Sequence, residues 1–226
     1  MVTRRYALGL DLGPAGAFTA LAVVERTDVD HPVTDPTYTV KHLRRFPPGT
    51  AYGAVATAVG ELLAAEPLDD APVVVDVTAV GTEVLDLFRE ADPRPTVVPV
   101  FVTAGHQAEQ SLNGGWLVPK KDLVTGLQLL LQGRRLAIPA ALPEADLLVR
   151  ELGNFRAKVS LAANPLEAEW REGQDDDLVL AVALGCWQAG RMPAAVRWVS
   201  CAATRPRNPL YPDRLFPDAG GRPPWW

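Results

Sequence analysis

Tyr6-Ala7-Leu8-Gly9-Leu10-Asp11-Leu12-Gly13, followed by Phe18-Thr19-Ala20-Leu21, alternates with a period of two and sets one carboxylate into an otherwise apolar run. In a strand, Ala7, Gly9, Asp11 and Gly13 share one face, while Tyr6, Leu8, Leu10 and Leu12 share the other. The large side chains mark a core. The small ones flanking Asp11 leave space beside it, which suits a ligand better than packing. A turn-forming Asp ahead of Gly13-Pro14 is the other reading of the same residue.

Two more acidic signals stand at comparable places: Asp76 closes Val73-Val74-Val75, and Asp175-Asp176-Asp177 opens the apolar segment Leu178–Ala189. An Asp can cap a helix and favours the positive end of its dipole. One cap, however, needs one carboxylate. Three adjacent ones repel and raise their own pKa values unless positive charge is near, and an unpaired buried carboxylate costs several kcal/mol. Taken together, the three signals point to a bound cation, and oxygen-only ligands favour magnesium or manganese.

Working outward, Tyr6–Leu12, Thr19–Glu25 and Thr37–Phe46 read as a three-strand meander. Residues 54–65 have helical spacing. Strand Pro72–Asp76, a turn at Ala79–Gly81, a helix ending near Arg89 and strand Val97–Val102 form a βαβ pattern, which implies parallel strands with right-handed crossovers. The sheet is therefore mixed, with five or more strands. A Gly-rich loop, Gln107–Trp116, leads to a helix opening at Val118–Asp122, running through Leu131 and ended by Gly133. Arg135–Ile138 reads as a short strand and Pro143–Phe155 as an amphipathic helix with Leu147, Leu148, Leu152 and Phe155 inward. Leu178–Ala189 is apolar on nearly every face, so a buried helix is expected.

The 226 residues are 48% hydrophobic, enough for one sizeable core. We read one domain over 1–190 and a Pro- and Arg-rich tail or wrapping arm over 191–226. Cys186 and Cys201 make no disulfide framework, and His31, His42 and His106 have no zinc spacing. No signal peptide precedes the first strand, and no apolar run reaches the roughly 18 residues of a membrane span. A soluble intracellular protein without a membrane partner is expected. The net charge of −5 divides into +4 on residues 191–226 and −9 on the rest, which argues against broad phosphate binding by the body of the chain.

Leu8–Gly13 with Phe18–Leu21, Val74–Gly81, Val118-Pro119-Lys120 with Asp122-Leu123, Arg135–Pro139, Glu151-Leu152 with Phe155, and Gly173–Ala183 occur in an order that resembles the nuclease domain of tailed-phage terminase large subunits, of the ribonuclease H-like superfamily. The resemblance runs to about residue 190. It implies an α/β ribonuclease H-like fold and a metal-dependent endonuclease that cuts double-stranded DNA during genome packaging. Asp11, Asp76 and one or both of Asp176 and Asp177 would hold two divalent cations, Mg2+ or Mn2+, with Asp175 as an additional member of the metal shell. Two-metal hydrolysis needs no nucleophilic side chain, and none stands out. Lys120, Lys121, Arg134 and Arg135 are candidate DNA-backbone contacts, against a reading as solvated surface charge. A separate packaging ATPase, portal or small terminase subunit would be partners, in the cytoplasm of a phage-infected or prophage-carrying bacterium.

The sequence also departs from that pattern. Ala17 stands where these nucleases carry another acid, Ala79 where they carry glycine, and Asp175 where histidine is common. No Gly-x-x-x-x-Gly-Lys-Ser/Thr phosphate loop occurs, so the packaging motor is not expected in this chain. Met1 just ahead of the first strand favours a stand-alone protein or an excised domain. Three alternatives remain open here: a degenerate domain that binds DNA or protein without cutting, a junction resolvase of the same superfamily, and a sugar-kinase or actin-like ATPase, whose first phosphate motif Gly9–Gly13 also resembles.

Overall fold

Alternation in the first forty-odd residues produces the expected meander. The computed structural model describes residues 1–30, 34–92, 94, 96–112, 114–161 and 176–193, of 155–161 the backbone alone. Strands β1 (Val2–Asp11), β2 (Thr19–Val29) and β3 (Thr37–Phe46) pair antiparallel in sequence order. Helix α1 (Tyr52–Leu63) then crosses to β4 (Val73–Asp76), which lies parallel to β1. A short 3-10 turn, Thr82–Val84, runs into α2 (Leu85–Ala91) and leads to β5 (Val97–Thr103), parallel to β4.

The Gly-rich loop contains a small hairpin that the sequence reading missed. β6 (Glu109–Gln110) pairs antiparallel with β7 (Trp116–Pro119), and β7 lies parallel to β5. Its strands, of two and four residues, are too short to show a periodicity. Helix α3 (Lys120–Gln132) follows, then β8 (Leu136–Ala137) parallel to β3, then α4 (Ala145–Leu161) and α5 (Asp177–Arg191). The described strands form one eight-stranded mixed sheet in the order β6-β7-β5-β4-β1-β2-β3-β8. From residue 194 on, the tail lies outside the described residues, as does Asp175.

Strand alternation divides the core between the two faces of the sheet. Leu8, Leu10, Leu12, Val73 and Val75 pack with Val55 and Val59 of α1 and Phe88 of α2. Ala7, Val74, Val100 and Val118 pack on the other face with Leu123 and Leu127 of α3, Leu148 of α4 and nearly all of α5. Leu147 and Leu152 are half-buried against that same core; the side chain of Phe155 is outside the described set. The result is a helix–sheet–helix sandwich with α5 as its buried helix.

Gly9 has a role different from the one its size suggested. A Cβ there would come within 2.6 Å of the Gly185 nitrogen and would strike the Ala181 carbonyl. The space beside Asp11 is thus largely taken by α5, whose backbone lies directly on that of β1. A Cβ on Gly185 would in turn meet Val24 at 2.8 Å. Both ends of α5 are also held. The buried Arg26 of β2 donates through Nη1 to the carbonyls of Ala189 (2.9 Å), Gly190 (3.2 Å) and Met192 (3.2 Å), and through Nη2 to Asp28 at 2.7 Å. A cation there complements the negative end of the helix dipole.

Because neither backbone can yield, Gly9→Ala should lower stability by about 2 kcal/mol or more, the range of core overpacking. Urea unfolding measures this, and an unchanged midpoint would show that α5 does not rest on β1.

Candidate functional site

The parallel pairing of β1 with β4 makes Asp11 and Asp76 direct neighbours in register at the carboxyl ends of adjacent strands. Their Cα atoms are therefore about 4.8 Å apart. Both stand on the sheet face that carries α5, because they alternate in phase with Gly9 and Val74. Open α/β sheets place ligands at this edge.

Helix α5 brings the remaining acids. Arg26, paired with Arg5 near the start of β1, binds the end of α5, Gly9 meets its middle, and Asp177 at its start acts on Asp11, so α5 runs opposite to β1. Two residues up the strand is about 6.7 Å, close to the roughly 6 Å of helix that leads from Ala181 back to Asp177. Burial raises the Asp11 carboxyl well above the usual carboxylate range, and the negative charges of Asp76, Asp177 and Asp176 push it further up. The Lys120 ammonium opposes them. Asp76 is raised as well, chiefly by burial, while Thr78 and Lys120 pull it down. Four distant acids therefore share one field.

Each acid is held differently. Asp76 Oδ1 accepts from the Thr78 hydroxyl and from the Thr78 N–H at 2.9 Å, and the same hydroxyl accepts from Val102 N–H at 2.7 Å. That chain ties Asp76 to β5 and leaves Oδ2 outside these bonds. Asp177 Oδ2 accepts from Arg45 Nε (3.1 Å) and Nη2 (2.7 Å), and the guanidinium stacks on Phe18 with 3.6 Å to the ring centre. Asp176 Oδ2 lies 3.0 Å from Lys120 Nζ. Among the described residues, no three carboxylate, imidazole or thiol groups converge tightly enough to hold a metal ion as they stand. The donor set nonetheless fits a hard divalent cation, since it is all oxygen, partly buried and mutually repulsive.

Glu151 of α4, which the sequence marks only through the family resemblance, supports the site from a neighbouring helix. It is 1% exposed, and its Oε2 accepts from the N–H groups of Leu178 (3.0 Å) and Val179 (3.2 Å) in the first turn of α5. This is a helix cap supplied from 27 residues away, which no local motif announces. Its Oε1 is buried without a partner among the described residues. Burial, aided by Asp177, pushes its pKa up to about 7, against the Val179 and Leu178 N–H bonds and Arg45. Thr78, Arg45 and Arg26 were also missed: Thr78 bonds Asp76 from two residues away, a local signal, whereas Arg45 and Arg26 find their partners on and just beyond α5, which no spacing announces.

Of the basic candidates, Lys120 reaches the acids, and Lys121 follows it with Nζ 3.3 Å from His106 Nδ1. Arg134 and Arg135 lie elsewhere. They precede β8, which pairs with Tyr38 and Thr39 at the start of β3, seven residues before Arg45, or roughly 20 Å along the strand. Arg135 Nη1 is 3.9 Å from Asp35. Ala17 lines a shallow open cavity of about 200 Å³ with Gly13, Pro14, Thr19, Thr50 and Tyr52. No described helix is long and apolar enough to cross a membrane.

No protein-family model and no curated protein matches the sequence. Solved structures do match the fold. The large terminase nuclease of thermophilic phage G20c with bound magnesium superposes with a TM-score of 0.53 and 22% identity, over 82% of this chain and 82% of that one. A second structure of that nuclease gives 0.50 and 21% over the same shares. The human cytomegalovirus terminase nuclease domain gives 0.50 and 14%, over 82% of this chain and 83% of that one. The chain thus has the ribonuclease H-like fold of terminase nuclease domains, with its antiparallel meander, parallel extension and flanking helices.

The Glu151 shift has a defined sign. A carboxyl whose pKa is raised on folding makes the folded state bind more protons between about pH 4.3 and 7, so stability falls as pH rises through that window. In EDTA, Glu151→Gln should flatten the decline between pH 5 and 8 by a few kcal/mol at most. Urea midpoints at the two pH values test this; equal slopes in variant and wild type would refute it.

Proposed function

We propose that the chain is a metal-dependent DNA endonuclease of the terminase type. The observation that carries this reading is the in-register pair Asp11 and Asp76, with the start of α5 adding Asp176 and Asp177 to the same field. Asp11, Asp76 and one or both of Asp176 and Asp177 would hold two divalent cations, Mg2+ or Mn2+. When bound, such ions supply a water made nucleophilic at neutral pH and stabilise the departing oxygen of a phosphodiester.

The chain's own residues do the positioning. Asp11 is fixed by the β1–α5 contact. Thr78 orients Asp76 by occupying one carboxylate oxygen, and Arg45 with Glu151 anchors the start of α5. Lys120 and Lys121, at the mouth of this edge, are the basic residues best situated to meet a DNA backbone. The positions of Arg134 and Arg135 give that role less support. Double-stranded DNA is the substrate of this reading, with a separate packaging ATPase, portal or small subunit as partners, and 1–190 as the catalytic domain.

One specific observation favours a second reading. Asp176 and Asp177 are engaged by Lys120 and Arg45, and Ala17 adds no carboxylate, as in a ribonuclease H-like domain that binds without cutting. Cleavage of plasmid and branched DNA with Mn2+ separates the two, and a preference for branched DNA would indicate a junction resolvase. Under our reading wild type cuts, and Asp11→Asn lowers the rate at least about a hundredfold. The same change should raise metal-free stability at pH 8 by about 1 kcal/mol, since it removes one charge from a repulsive cluster. Wild type that leaves DNA intact with Mn2+, or Asp11→Asn that still cuts at full rate, would exclude the nuclease.

A further inference from the structure

We propose that Lys120 is the built-in counter-cation of this site: its ammonium holds Asp176 in the metal-free protein and must be exchanged for a divalent ion when metal binds. The inference rests on the nuclease reading and adds a regulatory property to it, a resident competitor that sets how tightly metal is held.

Three observations carry it. The Lys120 Nζ lies 3.0 Å from Asp176 Oδ2, so the carboxylate is committed to the ammonium as the protein stands. Lys120 is also a cation whose field reaches Asp11 and Asp76 alike, lowering both against the burial that raises them. Its charge thus reaches beyond Asp176, as a smaller counterweight to that burial.

The third observation is local. Lys120 and Lys121 are the first two residues of α3, whose N-cap is Pro119 without a side-chain cap bond. The positive end of a helix dipole disfavours ammonium groups, so this placement is unfavourable by the helix's own electrostatics. Violations of this kind collect at functional sites, where another gain offsets them. For Lys120 the offset is Asp176 across the sheet edge, helped by Asp122 in the same first turn.

Arg45 does not share this role. Its planar guanidinium makes two bonds to Asp177 and stacks on Phe18, a fixed arrangement that holds the start of α5. Lys120 presents a strongly hydrated ammonium on a flexible four-carbon stem, which is 24% exposed and can leave toward solvent. Once released, it becomes an ordinary phosphate-binding group, which joins metal loading to substrate contact.

The test uses the full chain and Mn2+ as the probe, with Lys120→Met and, should that variant fold poorly, Lys120→Gln. Removing the ammonium should lower the melting temperature in EDTA and tighten the calorimetric Kd for Mn2+ by about 3- to 10-fold, so that Mn2+ raises the melting temperature more than in wild type. Lys120→Arg, which keeps the charge, should stay within about twofold of wild type. Wild type that binds Mn2+ with a Kd unchanged or weakened in Lys120→Met overturns this inference and leaves the nuclease reading standing. Wild type that binds no Mn2+ overturns both.

Discussion

The contact between Gly9 of β1 and the Ala181–Gly185 segment of α5 is the constraint on which the site depends. A buried helix normally stands off a sheet by the height of its side chains. Here two glycines remove that spacing, and the helix backbone comes down onto the strand. The charged ends then set its position along the strand: Glu151 receives the N–H groups at the start, and Arg26 binds the carbonyls at the finish. With both ends and the middle held, the height of Asp177 above Asp11 is decided by the fold. Backbone packing brings the carboxylates into one another's field, at a cost in mutual repulsion.

That repulsion is the second theme. Asp11 bears the largest burden, with burial and three neighbouring acids all favouring its protonated form. A fold selected only for stability would replace it. The molecule instead surrounds the acids with partial compensation: Thr78 on Asp76, Arg45 on Asp177 and Lys120 on Asp176. Each supplies a donor or a charge to one member of the cluster. An arrangement that stays underneutralised while its parts are individually supported is what a hard cation needs.

Much of the fold was legible in the sequence because β1 and β3 alternate, β2 is a bounded apolar run and α5 is apolar all round. Boundaries moved by a few residues, as at the start of β1, where the partly exposed Val2–Arg5 carries no hydrophobic periodicity but pairs with β2. The β6–β7 hairpin was hidden by its length. The acids themselves could be picked out, since each interrupts or opens an apolar run. Their supports could not: Glu151 caps a helix far along the chain, Arg45 reaches Asp177 through the stacking order of strands, and Gly9 looked like space for a ligand when it is space for a helix. Local pattern reports periodicity and punctuation, whereas these contacts follow from which elements become neighbours. Lys120 and the arginine pair 134–135 looked alike as basic dipeptides, yet sheet order puts Lys120 on Asp176 and the arginines at the far end of β3.

The central claim is that the β1–β4 edge and the start of α5 together form a divalent-cation site. Anomalous diffraction from crystals soaked in Mn2+ tests it most directly. The account predicts manganese peaks about 2.1 Å from carboxylate oxygens of Asp11 and Asp76, with Asp176 or Asp177 completing the set. Ordered density at these four residues with no anomalous peak, or a peak held only by groups elsewhere on the molecule, would contradict it.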